Sequence, residues 1–143
     1  MFERKSTRQI SVGKIKIGGG APISIQSMTN TKTHDAPATI EQIQLLAAEG
    51  CDIVRLAVPD MTAAKTLGKI ISAVDVPIVA DIHFDYKLAL EAVAQGVSAL
   101  RLNPGNIGGA AHVREVVKSA RAAQIPIRIG IRAARADFTT SRT

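Results

Sequence analysis

Residues 97–109 read VSALRLNPGNIGG, a short apolar run that contains an arginine and an asparagine and then enters a glycine-rich loop. Side chains alternate between the two faces of a β-strand, so Arg101 and Asn103 share one face and Leu102 lies on the other. A buried guanidinium without a partner is very costly, so the face that carries Arg101 must meet other polar groups or a ligand. The stretch therefore predicts a strand with one apolar face and one polar, functional face.

Short strands of this kind alternate along the chain with amphipathic helices, whose apolar residues recur with the i, i+3, i+4, i+7 spacing. Strands that are apolar on both faces are typical of a parallel sheet covered by helices, and connections this short return right-handed and parallel. The clearest strands are DIVRLAV (52–58), PIVADIHF (77–84), SALRLNP (98–104) and IPIRIGI (125–131). The chain is therefore predicted to have an α/β fold, the N-terminal portion of a (β/α)8 TIM barrel with about five parallel strands and four helices.

A small β-hairpin is predicted ahead of this barrel. RQISVGKIKIGGG (8–20) alternates apolar and polar residues around Gly13-Lys14, as two short strands joined by a tight turn do. ISIQSM (23–28) is the next predicted strand, and Asp35 is the predicted cap of the first helix. The predicted organisation is an arm and hairpin (1–20), a partial TIM barrel (21–131) and a tail (132–143).

Polar side chains recur near the carboxyl ends of four successive strands, on the predicted inner face of the barrel. The carboxyl ends of barrel strands form the mouth where active sites are built, so these side chains are expected to meet there. Guanidinium forks match phosphate oxygens, which predicts a phosphate or diphosphate ligand. Asp81 is expected to orient His83 or one arginine, or to bond a ligand hydroxyl. The predicted site contains Arg55, Asp81, His83, Arg101, Asn103 and Arg128.

The overall charge agrees with an anionic ligand. The 143 residues carry 18 Lys and Arg against 12 Asp and Glu, a net charge of +6, which favours anionic partners. One Tyr and three Phe offer few stacking surfaces for nucleic acid, which is therefore not expected as a partner. No apolar run reaches membrane-spanning length and no signal-peptide core is present, so a cytoplasmic location without membrane contact is expected.

Several other residues receive structural interpretations. Cys51, the only cysteine, is predicted to be a small buried core residue. His34 and His112 fall outside the repeated polar pattern and are predicted to be solvated. Strand alternation places Phe84 with Ile82 on the face that contacts the helices.

Five blocks of the sequence resemble the 4-hydroxy-3-methylbut-2-en-1-yl diphosphate synthase family, an oxidoreductase family of non-mevalonate isoprenoid biosynthesis. In order, they are QSMTNTKTHD (26–35), DIVRLAVP (52–59), PIVADIHFDYKLAL (77–90), ALRLNPGNIG (99–108) and IPIRIG (125–130). The resemblance runs from about Arg4 to Gly130 and implies a barrel that binds 2-C-methyl-D-erythritol 2,4-cyclodiphosphate. It also implies a homodimer, a separate domain with a 4Fe-4S cluster on three cysteines and a glutamate, and flavodoxin or ferredoxin as the electron donor.

The resemblance also implies roles for individual residues. At the matching positions, the diphosphate would be bound by Arg55, Arg101 and Arg128 with help from Asn103, and its carbon skeleton would face Asp81 and His83. The chain departs from the family pattern after IPIRIG, where Arg132 stands in place of an expected asparagine, and the cluster cysteines are absent. No metal or cluster is therefore expected on this chain, and no synthase activity is expected from it alone. Unpaired strand edges would favour oligomerisation or aggregation.

Three alternatives fit parts of the pattern. A pterin-binding barrel of the dihydropteroate synthase type also has a polar loop after its first strand and binds phosphate at its mouth, but QSMTNT and RLNPGNIG favour the synthase. A basic nucleic-acid-binding module would explain the charge, although arginines inside a barrel are poorly placed for it; salt-dependent binding to a duplex would identify it. The third alternative is a truncated product without function.

Overall fold

A computed structural model describes residues 3–131 of the chain. Within that range the fold comprises a two-stranded antiparallel sheet, a five-stranded parallel sheet and four helices, which confirms the predicted α/β class. The strands are β1 (Ile10–Val12), β2 (Ile15–Ile17), β3 (Gln26–Met28), β4 (Ile53–Val58), β5 (Ile78–Ile82), β6 (Ala99–Leu102) and β7 (Ile127–Ile129). The helices are α1 (Ala36–Ala48), α2 (Met61–Ser72), α3 (Tyr86–Ala94) and α4 (Ala110–Ala122).

The parallel sheet keeps the order of the chain, β3-β4-β5-β6-β7, as expected for consecutive units of a barrel. Its register decides the height of each polar side chain. Asp81 pairs with Arg101, and Arg101 pairs with Arg128, so these three residues lie at one level of the sheet. Arg55 pairs with Val79, which lies one inward-facing position nearer the amino ends of the strands. The candidate residues therefore occupy two neighbouring levels.

One face of the sheet is apolar and packs against the helices. Val54, Ile82 and Leu100 have no exposed surface and join Leu67 and Ile70 of α2 in one core cluster. Each fully buried aliphatic side chain of this size stabilises the fold by about 1.5–3 kcal/mol. This face therefore carries most of the hydrophobic stabilisation.

Aspartate side chains begin three of the helices. The predicted cap Asp35 accepts a hydrogen bond from the Ala38 N–H at the start of α1, which confirms that prediction. Asp60 and Asp85 cap α2 and α3 in the same way. Such caps satisfy N–H groups that lack partners within the helix. They also fix the points at which the chain leaves the carboxyl ends of the strands.

The hairpin of β1 and β2 covers the amino-end half of the inner face. Val12 is 5% exposed and packs in a second apolar cluster with Ile53, Val79 and Ala99, the inward-facing residues of β4, β5 and β6. The predicted hairpin around Gly13 is confirmed. Because it closes only the amino ends, the carboxyl ends of the same strands remain open.

Three local predictions differ from the structure. The strand predicted from residue 23 begins at Gln26, since the Ile25 N–H donates to the Asp52 carboxylate. Phe84 does not face the helices: β5 ends at Ile82, and Phe84 has a φ of 64° and is 78% exposed.

The third difference concerns a histidine. His112 is half-buried, and its ring stacks on Tyr86 with the ring centroids 4.0 Å apart, so its predicted solvation is wrong. His34 is exposed and Cys51 is buried, as predicted. The predicted tail, including Arg132, lies outside the described residues. No helix within residues 3–131 combines the length and the apolar character needed to cross a bilayer.

Candidate functional site

The carboxylate of Asp81 is the centre of the candidate site. Its side chain is only 6% exposed, and it contacts three other side chains at the mouth of the partial barrel. Arg101 Nη1 donates to Asp81 Oδ1 at 3.2 Å, and His83 Nε2 lies 3.0 Å from the same oxygen. Arg55 Nε lies 3.6 Å from Oδ2. Asp81 therefore orients the imidazole and both guanidinium groups together. The sequence had predicted that it orients either His83 or one arginine.

The strand register explains how this cluster forms. Parallel pairing places Asp81 directly beside Arg101, whereas Arg55 starts one inward-facing position lower and extends upward. The guanidinium of Arg55 also contacts Met28, with Nη2 and Nε at 3.3 and 3.4 Å from the sulfur. A buried carboxylate is costly unless it is paired, so its contacts hold these cations in place. Asp81 and Met28 therefore orient the two guanidinium groups before any ligand binds.

Gly130, just after β7, makes room for Arg101. A Cβ atom at this position would lie 2.6 Å from Arg101 Cζ, closer than real contacts allow. The Gly130 N–H donates to the Leu102 carbonyl at 2.9 Å, which holds the backbone in this place. The missing side chain therefore allows the guanidinium of Arg101 to lie over the end of β7.

Arg128 lies at the same level but has a different partner. Its Nη1 donates to Gln26 Oε1 at 3.1 Å, a contact between the first and last strands of the parallel sheet. Among the described ion pairs, Arg128 makes none with Asp81. The sheet thus curves enough for side chains of its two edge strands to touch. The Arg128 side chain lines a space with Gln26 and with Val12 of the hairpin, on the amino-end side of the Asp81 cluster.

Asn103 shapes the loop that follows β6. Its Oδ1 accepts the Gly105 N–H at 2.9 Å, and its carbonyl accepts the Asn106 N–H at 3.1 Å. This loop leads to Gly109, which begins α4 without a side-chain cap. Asn103 therefore holds the backbone of this loop in place through its side chain and its carbonyl.

A cavity of 400 Å³ opens beside the cluster at the carboxyl ends of the strands. It brings together three of the predicted residues, His83, Arg101 and Asn103, whereas the other three are not part of its lining. Its lining residues are His83, Phe84, Arg101, Asn103, Asn106, Gly130 and Ile131. The arrangement offers hydrogen-bond donors and positive charge at the edge of a space large enough for a small ligand.

Sequence reasoning did not select several residues that shape this site. Gln26 and Met28 contact site arginines from β3, and the alternation rule applied to that strand would have identified them. Phe84 and Gly130 carried no such signal, because their roles depend on a positive φ and on a close approach between β6 and β7.

Solved structures of other proteins share this architecture. Dihydropteroate synthase from Vibrio fischeri superposes with a TM-score of 0.66, at 13% identity, over 94% of this chain and 53% of that one. The enzyme from Yersinia pestis gives 0.62, at 9% identity, over 83% of this chain and 44% of that one. Likeness at such low identity shows the barrel fold alone.

Sequence comparisons are more specific. Residues 7–137 match the family model of the GcpE TIM-barrel domain, so the match continues past Gly130. A protein named 4-hydroxy-3-methylbut-2-en-1-yl diphosphate synthase (flavodoxin) from Thermodesulfovibrio yellowstonii is 57% identical over 133 residues, which are 93% of this chain and 38% of that relative. The protein of the same name from Geobacter sulfurreducens is 58% identical over 130 residues, or 91% of this chain and 37% of the relative. The chain thus spans little more than a third of the relatives' length, and within that span it belongs to the GcpE TIM-barrel family.

Proposed function

We propose that this chain is the substrate-binding barrel region of a 4-hydroxy-3-methylbut-2-en-1-yl diphosphate synthase. The proposed substrate is 2-C-methyl-D-erythritol 2,4-cyclodiphosphate. The proposal rests above all on the Asp81 cluster, which aims fixed guanidinium groups at the mouth of the barrel. The proposed binding residues are Arg55, Asp81, His83, Arg101, Asn103 and Arg128.

The charge balance of this cluster supports a polyanionic ligand. The guanidinium groups of Arg55 and Arg101 accompany one carboxylate, so positive charge exceeds negative charge around Asp81. The side chains of Arg55 and Arg101 are 28% and 25% exposed, so part of their hydration is already lost in the free protein. Charge-assisted hydrogen bonds to phosphate are stronger in such surroundings than in water. Binding would also cost little side-chain ordering, because Asp81 has already oriented both groups.

The proposed division of labour within the site follows from these contacts. Arg55, Arg101 and Arg128, with Asn103, would bind the diphosphate oxygens. His83 Nε2 lies 3.0 Å from Asp81 Oδ1, and these two side chains would face the carbon skeleton, where they can hold or move a proton. This chain would therefore bind and orient the substrate.

The residues of this chain do not fit the 4Fe-4S cluster that the family resemblance implies. Its single cysteine, Cys51, is buried, and its Sγ donates to the Ile53 carbonyl at 3.0 Å. No group of three or more His, Cys, Asp or Glu side chains in the described part of the chain could hold a metal ion. We therefore propose that the cluster is held outside these 143 residues. A flavodoxin or ferredoxin electron donor, a homodimer and a cytoplasmic location remain proposals of the same kind.

Calorimetric titration of the chain with the cyclic diphosphate tests the proposal. Arg101→Ala should weaken binding by about 10- to 100-fold, since hydrogen bonds to charged groups contribute about 1.5–3 kcal/mol. Arg114→Ala is the charge-matched control, because Arg114 is exposed on α4 outside the site. Absence of binding to the unaltered chain, or equal losses in the two variants, would contradict the proposal. A pterin diphosphate in the same titration tests the dihydropteroate synthase alternative.

A further inference from the structure

The connection between β5 and α3 contains an aromatic side chain in an unusual conformation. Phe84 has a φ of 64°, a left-handed conformation that bulky residues rarely adopt. The Asp85 N–H donates to the His83 carbonyl at 2.8 Å, which closes a three-residue turn with Phe84 at its centre. Strain of this kind persists only where the surrounding structure enforces it, and it concentrates at ligand sites.

Both ends of this turn are fixed by other contacts. His83 Nε2 lies 3.0 Å from Asp81 Oδ1, and the Asp85 carboxylate caps α3 by accepting the Lys87 N–H at 2.9 Å. The rings of His83 and Phe84 lie 6.0 Å apart, centroid to centroid. The turn therefore places the Phe84 ring at the rim of the site, although 78% of the residue is exposed to water.

Exposure alone would carry no functional meaning, because single apolar residues are common on protein surfaces. Ile23, at 83%, is equally exposed, but it lies near the amino ends of the strands and away from the site. Phe84 differs because it combines a strained backbone with a position in the same cavity as Arg101 and Asn103.

The cavity beside Asp81 is lined by both polar and apolar side chains. The polar ones belong to His83, Arg101, Asn103 and Asn106, and the apolar ones belong to Phe84 and Ile131. A ligand that contacts both kinds must carry an anionic group and some apolar surface. Inorganic diphosphate would satisfy only the first.

We propose that Phe84 is a specificity-determining residue that packs against the carbon skeleton of an organic diphosphate held by Arg101 and Asn103. The site would then discriminate diphosphate esters whose branched carbon skeleton offers apolar surface, such as a C-methyl group, from those that offer none. This inference rests on the proposed function, because it requires the diphosphate group to bind at the arginines.

Methyl diphosphate and isopentyl diphosphate are suitable probes, because they carry the same anionic group and differ in apolar surface. The unaltered chain should bind isopentyl diphosphate more tightly. Phe84→Ala should reduce this preference about tenfold, because it removes most of the apolar surface that the skeleton would bury. Phe84→Leu should retain most of it. Ile23→Ala is the matched control for loss of an exposed apolar side chain and should leave both affinities unchanged.

The outcomes separate this inference from the proposed function. Selective loss of isopentyl diphosphate affinity in Phe84→Ala, with methyl diphosphate affinity retained, supports the role of Phe84. Equal affinity changes for both probes, or no change, would overturn it while leaving the arginine site intact. Failure of the unaltered chain to bind either probe would overturn this inference, whereas the titration with the cyclic diphosphate decides the proposed function separately. Phe84→Gly removes the side chain but adopts the left-handed φ without strain. Comparing its melting temperature with that of the unaltered chain shows whether any loss of binding arises from unfolding.

Discussion

The two faces of the parallel sheet are built from the same strands but differ in almost every physical property. Leu100 on the helix face has no exposed surface and lies in the apolar core, whereas the next residue, Arg101, is bonded to a buried carboxylate on the inner face. Ile82 and Asp81 show the same contrast on β5. Because adjacent strand residues point to opposite faces, stability and the proposed ligand binding are assigned to alternate positions.

The inner face is itself divided along the strands. Val79 lies under the hairpin with Val12, and Asp81, two residues further along β5, pairs with the cations of the site. The apolar half anchors the hairpin, and the charged half is open to the cavity. Substitutions at neighbouring positions should therefore have separable effects on folding and binding.

The largest effect on stability is expected on the helix face. Leu100→Ala should lower the free energy of unfolding by about 2–5 kcal/mol, because it leaves a cavity in a closely packed core. Urea denaturation measures this loss. Leu45→Ala makes the same chemical change at a residue that is 63% exposed, and it should cost less than about 0.5 kcal/mol. Similar losses in the two variants would contradict the assignment of stability to the helix face.

A smaller loss is expected on the inner face from Asp81→Asn. This change removes the only carboxylate that the described ion pairs provide to Arg55 and Arg101, so the free energy of unfolding should fall by about 1–3 kcal/mol. The loss should shrink at high salt, because screening weakens the repulsion between the remaining cations. Urea denaturation at two salt concentrations checks both points. Asp75→Asn, at an exposed position, is the control, and an equal effect there would rule out a special role for Asp81.

The smallest effect on stability is expected from Gly130→Ala. The added Cβ would displace the guanidinium of Arg101 from its place over β7, while the core remains intact, so unfolding should change by no more than about 1 kcal/mol. Affinity for the cyclic diphosphate should nevertheless fall about tenfold, because a displaced guanidinium loses part of its alignment with phosphate. In the Arg101→Ala background the same substitution should have no further effect on affinity. An additive loss would show that Gly130 acts independently of Arg101.

Much of this architecture could be predicted because its signals are local. The alternation of Arg101 and Asn103 with leucines identified two faces, and helix periodicity identified a covered parallel sheet. Five of the six predicted residues lie at or beyond the register level of Asp81, whereas Arg55 lies one inward-facing position nearer the amino ends of the strands. Their proposed roles in substrate binding are predictions that the titrations above would test.

Other features could not be read from the pattern. The solvated interpretation of His112 failed because its ring stacks on Tyr86, which belongs to another helix. Phe84 was assigned to the wrong face because alternation was extended past Ile82, where the strand ends and the backbone turns. Both errors arose where a contact between distant segments, or a change in backbone conformation, overrode a local rule.

The sequence by itself determined the fold class, the family, and which strand residues face the inside of the sheet. All three depend on residue type and short-range spacing. Tertiary structure alone decided which charges meet. The register places Arg101 beside Asp81 and Arg55 one inward-facing position below it, so that both arginines contact its carboxylate. The curvature of the sheet brings Arg128 to Gln26. The physical reason is that strand alternation has a period of two residues and is set locally, whereas register and curvature result from packing summed over the whole core.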